Sequence, residues 1–309
     1  MKNIEMHCHS TNSDRNSPEE VVEAKRLLDF LTLTDHDFIS PSDFKDSLRI
    51  NGIETCDSVE ISARNYDVDK SLHLVSYAAI LSESLQDILE NTRFKKANIY
   101  DQISKLVFIK DVNDFENYMQ RKYQRGLKSA NKWFLAYYLY SIPNKEKMKH
   151  ILDRFDGDQN LIEVFYLECL KRESLYEEYY EIEEYEPSVE TTVHEVIHKA
   201  GVVSMAHPNV TFNKIAEFER TISYVDQINA IEINTKASYE WVQAILKVRR
   251  EFDLILTFSD CHQIGYDGRD GKHATIERNR DMFSLDIWKS FYRTSITDIE
   301  FAKFKDKLI

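Results

Sequence analysis

Cysteine is scarce in this chain: four residues in 309 (Cys8, Cys56, Cys169 and Cys261), scattered and without a C-x-x-C pair. That spacing argues against a disulfide framework and for a reducing compartment. No uninterrupted apolar run approaches the roughly 18 residues that a bilayer span requires, and the opening MKNIEMHCHS carries no apolar signal-peptide core. The expectation is a soluble, cytoplasmic protein with no membrane partner. Positive charge is also in deficit. Forty Lys and Arg against 53 Asp and Glu give a net charge of −13, which argues against a broad grip on duplex nucleic acid. A small anionic substrate, or a strand end held through metal ions, stays open. Glycine and proline number only 7 and 5, and neither an internal repeat nor a low-complexity linker is visible. What remains is ample for a core: 42% of the residues are hydrophobic, enough for one α/β barrel-sized domain or two smaller ones.

The chain reads in three blocks. From residue 1 to about 90, short apolar runs alternate with helical patterns. LTLT (31–34) and LHLVSYAAIL (72–81) read as strands, and SPEEVVEAKRLL (17–28) as a helix capped by Ser17 with Pro18 at its first position. Residues 91–186 are rich in Lys, Glu and Tyr with helical periodicity. After Pro187 the βα texture returns: a helix at 189–200, then VVSMAH (202–207), AIEINT (230–235), a helix near 238–251 and LILTFSD (254–260). Such alternation predicts βα units, here interrupted by a helical insertion. The predicted domains are a discontinuous barrel (1–90 and 187–285), the insertion (91–186) and a C-terminal tail (286–309) packing on the barrel.

One motif misleads. His194-Glu195-Val196-Ile197-His198 matches H-E-x-x-H, the zinc-protease signature, and Gly201 extends the match. The longer protease pattern needs a third histidine at 204, where this chain has Ser204. Val193, Val196, Ile197 and Ala200 form an i, i+3, i+4, i+7 apolar face, with Ser188 as N-cap and Gly201 just past the end. The segment therefore reads as an ordinary surface helix leading into a buried strand.

A second pattern is harder to dismiss. Met6-His7-Cys8-His9 ends the first expected strand, where alternation puts both imidazoles on one face; Asp14 follows in the turn. Leu33-Thr34-Asp35-His36-Asp37 ends the next, with a histidine between two carboxylates, Asp35 and Asp37, one of which could orient its ring. Val59-Glu60 ends another, His73 opens LVSY, and Ala206-His207-Pro208 ends a strand after the insertion. Ser259-Asp260-Cys261-His262 repeats the i, i+2 spacing. Metal-ligand residues at the ends of successive parallel strands converge on one mouth of an α/β barrel. By the same alternation Cys8 and Cys261 point away and serve as packing residues. Glu232 in AIEINT reads as a partner of a ligand, not a ligand.

In this order, the segments MHCHSTNSD, LTLTDHD, SVEIS, LHLVSY, VIHKAGVVSMAHP and FSDCH resemble the polymerase and histidinol phosphatase (PHP) family of metal-dependent phosphoesterases, over residues 3–90 and 187–265. The placement of the insertion is most similar to the branch that hydrolyses nucleoside 3′,5′-bisphosphates and trims short RNA ends. The resemblance implies an α/β fold, a distorted (β/α)7 TIM-like barrel with a helical insertion domain. It also implies three divalent ions: one on His7, His9, Glu60 and Asp260, a second on Glu60, His73 and His207, a third on Asp14, His36 and His262. Six imidazoles and three carboxylates suit Mn²⁺, Zn²⁺ or Fe²⁺ better than Mg²⁺. The implied catalyst is a metal-bridged hydroxide held by Glu60, Asp260 and His207, and the implied activity phosphoester hydrolysis on nucleotides. A nuclease acting on single-stranded DNA or RNA ends, within a larger complex, is the alternative. Phe258 and Asn209 depart from the family, which often has Gly and a nearby Arg there.

Substrate contact is expected from the insertion. Arg121, Arg125, Lys128 and Lys132 are spaced to share a helix face, and Arg269 follows the last expected ligand strand; a solvated surface explains them as well. The expected partner is a small phosphorylated nucleotide or a short oligonucleotide. The acidic, tyrosine-laced stretch 175–185 leaves a docked protein partner open.

Overall fold

The structure, a computed structural model, describes residues 4–10, 28–106, 112–123, 138, 186–197, 201–222, 225, 228–234, 237–248, 254–258 and 298–308. The chain divides into two units, Met1–Glu90 with Glu186–Ile309, and Asn91–Tyr185. Among the described residues, no helix is long and apolar enough to cross a membrane.

The fold is α/β. Strand β1 (Ile4–Glu5) pairs in parallel with β2 (Phe30–Leu31). A five-stranded sheet follows in the order β3 (Asp57–Asn65), β4 (Lys70–Ala78), β5 (Gly201–Met205), β6 (Ala230–Asn234) and β7 (Leu254–Phe258). Two expectations are corrected here. The strands are not uniformly parallel: β4 runs antiparallel to both β3 and β5, and only β5–β6 and β6–β7 are parallel. Nor does β3 end at Glu60. It runs on to Asn65, whose Oδ1 accepts the backbone N–H groups of Asp67 and Val68 at 3.0 and 3.3 Å and so turns the chain into β4. The described strands lie in two sheets and do not close a barrel. A parallel bridge between His36 and Glu60 links the chain beyond β2 to β3.

The described helices are α1 (Ser42–Ile50), α2 (Glu83–Leu106), α3 (Val112–Tyr123), α4 (Val189–Ile197), the single turn α5 (Pro208–Thr211), α6 (Ile215–Ile222), α7 (Tyr239–Lys247) and α8 (Asp298–Asp306). The motif that mimics a protease helix is α4. Ser188 Oγ accepts the Thr191 backbone N–H at 2.9 Å, the capping bond its sequence predicts. Val189, Val193 and Val196 are buried while His194 is exposed. Gly201 opens β5 because the chain passes so close there: a Cβ would lie 2.6 Å from Val196 Cγ1 and 2.7 Å from the Tyr77 carbonyl oxygen. The main apolar core joins β3–β7 to α4, α6 and α7, and includes Phe301 and Phe304 of α8. Those two rings pack edge-on against Phe30, and Phe304 packs likewise against Tyr77. A second apolar cluster gathers Cys8, Leu28, Leu31, Leu33, Phe44, Leu48 and Ile53.

Candidate metal centre

The segment after β1 stays extended without forming a full ladder. Thr34 donates its backbone N–H to the Cys8 carbonyl at 2.9 Å, and Thr34 Oγ1 accepts from the Cys8 N–H at 3.1 Å. This pins the alternation. Cys8 turns into the second apolar cluster, and His7 and His9 face the other way, both fully buried. Glu5 Oε1 accepts the His7 backbone N–H at 3.2 Å. Beyond His9, Asp35 grips Ser10 twice, accepting its N–H at 2.7 Å and its Oγ–H at 2.6 Å. Asp35 thus braces the loop that carries His9. Asp37 adopts φ 52, and its N–H reaches the Glu60 carbonyl at 2.8 Å. These bonds hold His36 beside β3.

Glu60, fully buried on β3, is the hub. Its Oε1 lies 2.9 Å from His207 Nε2, 3.0 Å from His73 Nδ1 and 3.6 Å from His7 Nε2. Its Oε2 lies 3.0 Å from His36 Nδ1 and 3.3 Å from His9 Nε2. The five imidazoles close a ring around it. Centroid separations run 5.3 Å from His7 to His9, 4.6 Å to His36, 5.4 Å to His73, 5.1 Å to His207 and 5.6 Å back to His7. His7 and His9 form the closed side. His36 and His73, with 27% and 35% of their side chains exposed, mark the open one.

His207 reaches the ring from a strained backbone. It follows β5 at φ 28 and ψ 61, immediately before Pro208 starts α5. A non-glycine residue in this region costs energy and persists only where its surroundings hold it. Here Val210 and Thr211 donate their N–H groups to the His207 carbonyl at 2.8 and 3.2 Å. Thr211 Oγ1 lies 3.4 Å from His207 Nδ1, which leaves Nε2 directed at Glu60.

Electrostatics follow from this crowding. Burial opposes ionisation of Glu60, but His36, His73 and His7, with the hydrogen bond from His207, hold its carboxyl well below the ordinary carboxylate range. For His7, burial disfavours the charged ring. Glu232 and Glu60 outweigh that and raise it well above the usual imidazole value.

The donor set fits divalent metal ions. Among the described residues, ring nitrogens and carboxylate oxygens within 4.8 Å of one another form two groups, His7–His9–Glu60 and His36–Glu60–His73, which share Glu60. Glu60 Oε2 is buried and accepts no aligned hydrogen bond, although two imidazole nitrogens lie at 3.0 and 3.3 Å. A buried carboxylate oxygen left so is costly, and a cation between these atoms would relieve it.

The structure therefore brings together His7, His9, His36, Glu60, His73 and His207. Among the described residues His36 groups with Glu60 and His73. Asp14, Asp260 and His262 lie outside the described residues, as do Arg125, Lys128, Lys132 and Arg269. Arg121 is exposed in the last turn of α3, donating to the Asn117 carbonyl at 3.2 Å. Glu232, expected beside a ligand, has its Oε2 2.8 Å from His7 Nδ1. The signal was present, a carboxylate set within the apolar strand AIEIN.

No protein-family model matches the chain, and no curated protein matches it. Several solved structures match the chain, two of them as follows. A candidate metal-dependent phosphoesterase from Bifidobacterium adolescentis is 18% identical, with a TM-score of 0.65 over 90% of this chain and 94% of that one. An amidohydrolase from Chromobacterium violaceum, with bound sulfate and no metal, is 20% identical, with a TM-score of 0.67 over 86% of this chain and 89% of that one.

Proposed function

We propose that this protein is a metal-dependent phosphoester hydrolase of the PHP type, acting on nucleotides of the 3′,5′-bisphosphate kind. The observation that carries the reading is the closed ring of five imidazoles around one buried carboxylate. A structural histidine cluster would have no need to surround Glu60 on both oxygens. The two fold neighbours include one described as a candidate phosphoesterase and one holding sulfate, a tetrahedral anion like phosphate. In this reading Asp14, Asp260 and His262 complete a centre of up to three ions, and the chain closes as a distorted (β/α)7 barrel.

His7, His9 and Glu60 would hold one ion, and Glu60 with His36, His73 and His207 a second. Mn²⁺, Zn²⁺ and Fe²⁺ all suit such a mixed nitrogen and oxygen set. Bound divalent ions would acidify a water molecule and neutralise the non-bridging phosphate oxygens. The chain's own residues do the rest. Glu60 keeps its negative charge at neutral pH and, with each of its oxygens facing a histidine of both groups, ties the two positions together. Buried His7 and His9 close the rear of the pocket against bulk water, so charge interactions inside it are weakly screened. Half-exposed His36 and His73 leave the approach open for an anionic ester.

Incubation with Mn²⁺ and adenosine 3′,5′-bisphosphate should release inorganic phosphate. Chelation should abolish the release, and Glu60→Gln should reduce it by about 100-fold or more. Turnover of single-stranded oligonucleotides alone would overturn the bisphosphate assignment in favour of a nuclease. Absence of metal-dependent hydrolysis on either substrate would overturn the proposal itself.

A further inference from the structure

Glu232 occupies the middle of β6, a strand paired on one side with β5 and on the other with β7. Its strand neighbours Ile231 and Ile233 are fully buried, and Glu232 itself is 1% exposed. An ionisable side chain in such a place is retained only if it is engaged. One oxygen is engaged twice. Glu232 Oε2 lies 2.8 Å from His7 Nδ1 and accepts the His207 backbone N–H at 3.3 Å. Its other oxygen, equally buried, has no hydrogen-bond partner among the described residues.

We infer that Glu232 is a positioning residue that sets two metal-facing histidines at once, His7 through its ring and His207 through its backbone. A carboxylate can only accept, so His7 donates from Nδ1. The other ring nitrogen, Nε2, 3.6 Å from Glu60 Oε1, then faces the centre of the ring of imidazoles, where an entering ion would take the place of its proton. The bond to the His207 N–H acts on a residue already held at φ 28. It helps fix the turn that points His207 Nε2 at Glu60 from 2.9 Å. His7 belongs to one of the two metal-capable groups, and His207 stands 5.1 Å from His73 of the other. A single carboxylate oxygen therefore orders two adjacent histidines that both face Glu60 Oε1. Outer partners of metal-ligating histidines fix tautomer and ring orientation, and their loss typically weakens metal binding by about 10–100-fold.

The inference rests on the proposed metal centre and not on the proposed substrate, and its test reads metal binding directly. Full-length wild type, Glu232→Gln and Glu232→Ala would be titrated with Co²⁺, following both affinity and the visible absorption band. Gln keeps an acceptor for His7 and His207 without the charge, whereas Ala removes both. Affinity should fall in the order wild type, Gln, Ala, with Ala weaker by about 10–100-fold and its band shifted as His7 loses its fixed orientation. Partial recovery in Gln marks positioning, which a purely structural loss would not give. If Ala fails to fold, Gln decides alone: a several-fold weaker, spectrally altered complex supports the inference. Wild-type affinity and spectrum in a folded Ala or Gln variant would overturn it. Wild type that binds Co²⁺ but hydrolyses no phosphoester would sink the proposed function and leave Glu232 its role. Wild type that takes up no Co²⁺ would overturn both.

Discussion

At the scale of the residue, Glu60 and His7 are shifted in opposite directions in a space with little water, Glu60 chiefly by His36 and His73 and His7 chiefly by Glu232. Glu60's carboxyl is held well below the ordinary 4.5. Its contribution to stability is therefore complete above about that value and is lost as pH falls through the depressed folded-state pKa. His7 is raised well above 6.5. Its contribution is complete below about 6.5 and is lost as pH rises through the raised value. Urea unfolding of metal-free protein should accordingly show stability falling at both acid and alkaline extremes. An ion entering the His7–His9–Glu60 group must displace the proton from His7 Nε2. Metal affinity should then climb as pH rises from about 6.5 towards the raised His7 value, with about one proton released by that step. Calorimetry in buffers of different ionisation enthalpy reads this directly, and an affinity independent of pH would contradict it. His36 and His9, stacked 4.6 Å apart on Glu60 Oε2, bear on the same point. Removing the Glu60 charge with Glu60→Gln should weaken ion binding by about 100-fold or more.

At the scale of the element, the close pass between α4 and β5 makes the sharpest prediction. In Gly201→Ala the new methyl meets Val196 Cγ1 at 2.6 Å, which can shift, and the Tyr77 carbonyl at 2.7 Å, which is backbone in β4 and cannot. Overpacking of this kind costs about 1–3 kcal/mol, measurable as a lower urea midpoint. Ser188→Ala, which removes the α4 cap bond, should cost about 1 kcal/mol. These two features were legible in the sequence because capping chemistry and a 3.6-residue apolar period are local. Strand direction is not local. Alternation in LHLVSYA marks β4 as a strand but is identical whether it runs with or against its neighbours, so its antiparallel course had no signature. The end of β3 was misplaced for a related reason. Ser62, Arg64 and Asn65 look like a loop, yet they continue the ladder opposite His73, Ser71 and Lys70. Beyond the first two strands, which are shorter than expected, threonine side chains add to the backbone bonds. Thr32 Oγ1 donates to the Met6 carbonyl at 3.2 Å, and Thr34 Oγ1 accepts from Cys8 N.

At the scale of the whole molecule, the centre assembles side chains 200 residues apart, from His7 to His207. The sequence marked them by chemistry, since histidines at strand ends are hard to explain otherwise. It could not show which would share an ion, because that depends on rotamers and on buried partners such as Glu232. The concentration of like donors also ties metal to stability. An ion that binds only the folded chain stabilises it by about 2.7 kcal/mol at a free concentration 100 times its Kd. For a protein of this size that corresponds to a rise in Tm of about 4 °C. Scanning calorimetry with Mn²⁺ and after chelation should show that rise and its loss, and Glu60→Gln should show neither.

The account stands most directly on where ions settle. Anomalous diffraction from Mn²⁺-soaked crystals should show peaks in coordinating contact with both Glu60 oxygens and with ring nitrogens of His7, His9, His36, His73 and His207. Clear density for those side chains with no anomalous peak beside Glu60 would contradict it.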